Sequence, residues 1–263
     1  MSQGPRYREG MPCWVDLLTD DRDAAAEFYG TLFGWDFAVG DPAAGLYTFC
    51  QVDGQSVAGI ARRAADGATE AVWTTYLAVD DAAGAATRIR AAGGVATEPL
   101  ELAGHATLLT ASDSAGAVFG VWQAGDFPGA QLVDEPGSLV WNELVVTDAD
   151  RALDFYHRVF GHGARTSPDS DYSVLELDER PVGGVLPMSA VEEPVAALGP
   201  HWAVYFGVES TEDTIAHARR LGATTADGPN DTPYGRIATL RDPQGAFFGV
   251  VDARDAAPSP AGG

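Results

Sequence analysis

The chain has 263 residues, 46% of them hydrophobic, and carries 38 acidic against 16 basic side chains for a formal net charge of −22. That length and apolar share are enough for two globular units with full cores, while a surface this negative repels phosphate backbones, argues against nucleic acid as a partner and favours a positively charged one. Two cysteines, Cys13 and Cys50, are too few for a disulfide framework and read as reduced, buried thiols of a cytoplasmic protein. Met1 to Gly10 lacks the apolar stretch of a secretory signal, and no apolar run reaches the roughly 20 residues a membrane span needs. Neither membrane association nor export is expected. Every basic residue is arginine, a composition that together with heavy Ala, Gly and Asp use points to a GC-rich genome.

Taken in chain order, residues 12–20 have strand character, and Asp21 opens a helix as its N-cap, with Ala24, Ala25, Phe28, Tyr29 and Leu32 at helical spacing. Strands are predicted over 35–39, 46–53 and 56–61, the last two joined by the hairpin dipeptide Asp53-Gly54. The order then restarts with a strand over 72–79, an alanine-rich helix over 81–92 closed by Gly93-Gly94, and strands near 95–97, 106–111 and 117–123. In the second half the equivalent elements begin at Val140, Asp148, Tyr172, Val182, Trp202, Thr211, Thr224, Arg236 and Phe247. Asp148 follows Asp21, and Tyr156 follows Tyr29, by the same 127 residues. A repeat that long is a duplicated domain. The reading is an α+β chain of four β-α-β-β-β units, divided into a first domain (1–128), a linker (129–137), a second domain (138–255) and a disordered tail (256–263).

The helix pattern D-x-x-x-A-x-x-F-Y-x-x-x-F-G, the turns Asp113-Ser114-Ala115-Gly116 and Asp242-Pro243-Gln244-Gly245, and the strand openings at Trp14 and Trp141 resemble the vicinal oxygen chelate superfamily. That superfamily includes glyoxalase I, bleomycin-resistance proteins and extradiol dioxygenases, and the nearest likeness is to tandem, two-domain glyoxalase-like proteins of actinobacteria. The resemblance covers nearly the whole chain and implies two cup-shaped half-barrels, each able to hold a ligand in its concavity. It also implies where metal-using members place their ligands, and those positions here are Trp14, Thr74 and Gly120 in the first half and Trp141, Ala203 and Gly249 in the second. Indole, methyl, hydroxyethyl and hydrogen side chains replace the imidazole, carboxylate or thiolate that Zn²⁺, Fe²⁺ or Mn²⁺ requires. No metal and no other cofactor is expected, and the five histidines read as surface or capping residues.

Alternation along the strands sets Trp14 and Asp16 on one face, with Trp141 and Glu143 in the second half. Tyr76, Gly120 and Trp122 complete the first expected lining, and Tyr205, Phe247 and Gly249 the second; Trp73 and Trp202 fall on the helix side as core. Aromatic planes, a glycine gap and one carboxylate suit a flat aromatic ligand carrying a positive charge. One reading is therefore a metal-independent binding protein that sequesters a cationic aromatic natural product, such as an anthracycline or a bleomycin-type antibiotic, for self-resistance or relief of product inhibition. The other is an enzyme of secondary metabolism (an isomerase, cyclase, lyase or hydroxylase accessory) with Glu143 or Asp16 as base; no further catalytic residue is indicated. A third reading has both cups closed by Trp14 and Trp141, with Asp16 and Glu143 held by backbone amides and the protein working through its surface.

Overall fold

The computed structural model describes residues 5–40, 47–63, 70–102, 104–166 and 171–252; the expected tail over 256–263 lies outside them. The first unit is β1 (Pro12–Thr19), α1 (Arg22–Phe33), β2 (Asp36–Val39), β3 (Thr48–Val52) and β4 (Gln55–Arg62). The second is β5 (Val72–Ala78), α2 (Ala82–Ala91), β6 (Val95–Ala96), β7 (Leu100–Leu102), β8 (Ala106–Ser112) and β9 (Val118–Ala124). The third is β10 (Leu139–Val146), α3 (Ala149–Phe160), β11 (Gly163–Thr166), β12 (Ser173–Leu177) and β13 (Arg180–Pro187). The fourth is β14 (His201–Gly207), α4 (Thr211–Arg220), β15 (Thr224–Thr232), β16 (Gly235–Arg241) and β17 (Phe247–Asp252). Two short strands, β7 and β11, go beyond the sequence reading because neither has an alternating pattern long enough to be seen.

Each helix starts where a short polar side chain can take up a free N–H of the first turn. Asp21 accepts from Ala24 N at 3.0 Å, Asp81 from Gly84 N at 3.0 Å, Asp148 from Arg151 N at 3.1 Å and Ser210 from Asp213 N at 3.2 Å. Gly34 and Gly161 end α1 and α3 in the left-handed conformation that L side chains avoid.

The first half forms one sheet in the order β2-β3-β4-β1-β5-β9-β8-β6, with β7 on β8; the second forms β11-β12-β13-β10-β14-β17-β16-β15. In each, the two units join through an antiparallel pair, β1 with β5 and β10 with β14. The sheets thus curl into two half-barrels, each within its own half of the chain. Core packing runs the other way. Val15, Phe28 and Tyr29 of the first unit share a buried cluster with Phe206, Ile215 and Phe248 of the fourth. Ile89 and Phe119 of the second share another with Phe155, Tyr156 and Phe160 of the third.

Two matching polar triads lie across that junction. Trp73 Nε1 donates to the Tyr29 hydroxyl (3.0 Å), which donates to Asp242 Oδ2 in the other half (2.9 Å). Trp202 Nε1 donates to the Tyr156 hydroxyl (2.8 Å), which donates to Asp113 Oδ2 (3.3 Å). The other oxygen of each aspartate caps its own D-x-x-G turn, Asp242 Oδ1 taking Gln244 N and Ala246 N and Asp113 Oδ1 taking Ala115 N, Gly116 N and Ala117 N. Trp73 and Trp202 are accordingly buried core on the helix side.

His162 departs from the expected surface role. It is 3% exposed, stacked on Tyr156 and Phe160, with Nε2 2.9 Å from the Gly10 carbonyl. The reason is tertiary: the N-terminal segment crosses over it from the other half of the chain.

Candidate ligand site

Strand register assembles each cup from rows of directly opposed residues. Trp141 of β10 stands opposite Tyr205 of β14, which stands beside Gly249 of β17; the next row sets Glu143 opposite Ala203. In the first cup Trp14, Tyr76 and Gly120 form one row, and Asp16 and Thr74 begin the next.

The same hydrogen-bonded chain occupies both cups. Trp14 Nε1 donates to the Tyr47 hydroxyl (2.6 Å), and the hydroxyls of Tyr47 and Tyr76 both donate to Asp16 Oδ2 (3.1 Å each). Trp141 Nε1 donates to the Tyr172 hydroxyl (3.1 Å), Tyr205 donates to Glu143 Oε2 (3.0 Å), and Tyr172 also hydrogen-bonds to Glu143. Burial pushes the Asp16 carboxyl up to about 7, against the lowering effect of its two tyrosine hydrogen bonds. Glu143 is raised for the same reason, again opposed by Tyr205 and Tyr172. Tyr47 and Tyr172 escaped the sequence reading. Their signal was present: each immediately precedes the second strand of the first hairpin of its half, β3 or β12, and the two are 125 residues apart.

Gly120 and Gly249 do not leave the expected gap. A Cβ at Gly120 would stand 2.0 Å from the Tyr76 ring, and one at Gly249 2.1 Å from the Tyr205 ring. The glycines exist so that these rings can lie flat over the neighbouring strand and aim their hydroxyls at the carboxylate. Gly59 and Gly184 make the same room for Tyr47 and Tyr172.

From this point the cups diverge. In the first, Trp14 is 0% exposed and packs against Phe127 (ring centroids 5.0 Å apart), Phe49 (6.2 Å) and Trp122 (6.4 Å). Trp14, Asp16, Tyr76, Gly120 and Trp122 are brought together there, but onto one another, and tyrosine hydroxyls rather than backbone amides hold Asp16. In the second, Trp141 is partly exposed and borders a cavity of about 1640 Å³. Glu143, Tyr172, Tyr205, Phe247 and Gly249 line it as well. The space continues past the second cup to Leu18, Thr74, Tyr76 and Val118 of the first sheet, so it exceeds the roughly 300–1,000 Å³ of ordinary ligand pockets.

Tyr234, at the tip of the β15–β16 hairpin, is the other residue the sequence reading missed. Its ring is 52% exposed and nearly parallel to Trp141 (15°, centroids 6.3 Å apart). A residue at a hairpin tip belongs to no periodic pattern, and only the fold carries it to the mouth of the cup.

The positions at which a metal would be held offer Trp141, Ala203 and Gly249 in the second cup and Trp14, Thr74 and Gly120 in the first. Asp16 and Glu143, the carboxylates nearest those positions, are already engaged by tyrosine hydroxyls, and no group of three metal-binding side chains occurs among the described residues. This donor set does not fit a divalent metal. What the second cup offers is a carboxylate under an aromatic wall, suited to a hydrogen-bond donor or a cation on an aromatic body.

Paired β-α-β-β-β half-barrels with this cup define a glyoxalase-like protein, and the chain belongs to the Glyoxalase/Bleomycin resistance protein/Dioxygenase superfamily, whose family model matches residues 13–120 and 138–250. Among curated proteins it is 37% identical to the anthracycline biosynthesis protein DnrV of Streptomyces peucetius, covering 98% of each chain. It is 38% identical to CFP32 of Mycobacterium bovis, provisionally named a glyoxylase, over 95% of this chain and 98% of that one. Among solved structures, the Mn(II)-bound glyoxalase of Novosphingobium aromaticivorans superposes with a TM-score of 0.62 at 21% identity, covering 96% of this chain and 89% of that one. The likeness to that enzyme is one of fold. No helix among the described residues is long and apolar enough to cross a membrane.

Proposed function

We propose that the protein is a metal-independent binding protein for a cationic, polycyclic aromatic natural product of the anthracycline kind, held in the second cup, with a role in the biosynthesis of, or self-resistance to, that product. The observation that carries this reading is the large cavity in which Trp141, Tyr172, Tyr205 and Phe247 surround the buried carboxylate of Glu143, with Glu70, Asp134 and Asp227 elsewhere on its lining. Aromatic contacts and cation–π attraction contribute about 0.5 to 2 kcal/mol each, and a partly desolvated carboxylate selects the charged ligand. The full-length similarity to a Streptomyces anthracycline biosynthesis protein supports the compound class, and the net charge of −22 favours approach of a cation.

Tryptophan-fluorescence titration with an aminosugar-bearing anthracycline and with its neutral aglycone tests the proposal. The charged compound is expected to bind at least roughly tenfold more tightly, and Glu143→Gln is expected to erase that preference while leaving aglycone binding in place. Equal indifference to both compounds overturns the reading. A catalytic variant of it has Glu143, raised by burial and lining the cavity, abstracting a proton from the bound compound. Its mark is turnover of the anthracycline or a precursor by the wild-type chain, lost in Glu143→Gln.

A further inference from the structure

The cups share one chain of polar contacts and differ in what stands before the indole. In the second it is open space and the exposed Tyr234. In the first it is Phe127, from the segment between β9 and β10. Its ring lies edge-on to Trp14 at 88°, with centroids 5.0 Å apart, and 5.3 Å and 5.9 Å from the rings of Phe49 and Trp122.

The strap bearing it is laced down on both sides. Phe127 N donates to the His105 carbonyl (3.1 Å), Trp122 Nε1 to the Phe127 carbonyl (3.1 Å), and Ala130 N to the Cys13 carbonyl (2.8 Å). Tyr7 donates its hydroxyl to the Ala130 carbonyl at 2.9 Å. Gly129 passes so close that a Cβ would stand 2.3 Å from the Cys13 carbonyl oxygen.

Two residues along β1 from the plugged Trp14 lies Asp16. Asp16 is 4% exposed; its Oδ2 accepts both tyrosine hydroxyls, while its Oδ1 is buried without a hydrogen-bond partner among the described residues. Buried acceptors are nearly always satisfied, and leaving one unpaired is costly. A phenyl ring has nothing to donate. The repeat gives an independent indication. The 129-residue offset that relates Tyr76 to Tyr205 and Gly120 to Gly249 carries Phe127 to Ala256, a residue with no ring.

We infer that the first cup is a second copy of the ligand site whose aromatic seat is permanently taken by Phe127 as a tethered substitute for ligand. The wild-type chain therefore takes one ligand molecule, in the second cup, and the first cup admits an aromatic ammonium compound once that ring is removed. The stoichiometry rests on the function proposed above. The occupancy of the first cup stands apart from it. In the opened cup the ring of the guest replaces the phenyl group against Trp14, and its ammonium donates to the unpaired Asp16 oxygen.

The test uses the full chain, with benzylamine as probe and benzyl alcohol as its neutral isostere, in equilibrium dialysis and thermal melts. Phe127→Ala is expected to bind one more equivalent of benzylamine than wild type, with about tenfold preference over the alcohol and a rise in Tm that wild type lacks. Adding Asp16→Asn removes the preference. A folded Phe127→Ala protein that binds no additional equivalent, or a wild type that already fills both cups, overturns the inference. Wild type binding none while Phe127→Ala binds one counts against the function proposed for the second cup and sustains this one. Should Phe127→Ala not fold, Phe127→Leu keeps the apolar contact of the strap with a smaller plug; it is expected to take the additional equivalent more weakly, and its failure to do so also overturns the inference.

Discussion

Asp16 and Glu143 are paired oddities, carboxyl groups placed under aromatic rings and held by tyrosine hydroxyls, and their cost shows in how stability depends on pH. The folded Asp16 carboxyl titrates at about 7 and the unfolded one near its ordinary 3.8. Between those values the folded chain holds a proton that the unfolded chain has lost, so this group makes stability fall as pH rises from about 4 to 7. His162, whose folded value burial lowers to about 4 from 6.5, acts with the opposite sign over part of the same range. The contribution of Asp16 is therefore read as a difference between proteins. Asp16→Asn is expected to lose the decline between pH 4 and 7, measured as urea-unfolding free energy against wild type; parallel curves for the two would remove the account of Asp16 as a carboxyl raised by burial.

At the level of elements, the hairpin between β15 and β16 borders the second cup. Its turn is tied by Thr232 Oγ1 donating to the Gly235 carbonyl (2.7 Å), and it presents Tyr234 outward to Trp141 and Tyr172. A flat ligand laid on Trp141 would gain a second aromatic wall from this ring. Tyr234→Ala is expected to weaken anthracycline binding about three- to tenfold, consistent with roughly 0.5–1.5 kcal/mol for an aromatic pair, while Tyr234→Phe binds as wild type does. Because the ring is exposed, Tm should change little in either variant. A Tyr234→Ala protein with unaltered affinity would leave the hairpin a bystander. The strap over the first cup is the opposite case, a connecting segment that closes a site by packing into it.

Across the whole molecule, the sheets stay within the halves while the cores do not, so neither half buries its helices without the other. Tyr29 and Tyr156 each bind an aspartate that organises a turn in the opposite half. Tyr29→Phe strands both Asp242 Oδ2 and Trp73 Nε1 in a buried setting, and about 1–3 kcal/mol of stability should be lost. Tyr156→Phe should cost a similar amount, and the two effects should add because the triads share no residue. Chemical denaturation of the single and double variants is expected to show one unfolding transition throughout. Separate transitions for the two halves would contradict the shared cores.

Most of the architecture was legible in the chain itself because it is written in local rules. The aspartate and serine caps mark helix starts, the D-x-x-G turns repeat at their expected places, and strand alternation puts Trp14, Asp16, Trp141 and Glu143 on the concave faces and Trp73 and Trp202 on the convex ones. The absence of metal donors at the ligand positions is likewise a property of residue chemistry alone. The unequal fate of the two cups is not. Phe127 lies in a connecting segment without periodicity, and its path back over the first sheet is fixed by contacts with His105, Cys13 and Tyr7 that are distant in sequence. The glycines opposite Tyr76 and Tyr205 looked like room for a guest because the sequence does not record which neighbouring ring leans over them. Spacing along the chain determines which face a side chain occupies; only packing between distant segments decides whether the space before that face is filled or free, and here that decision leaves the second cup open.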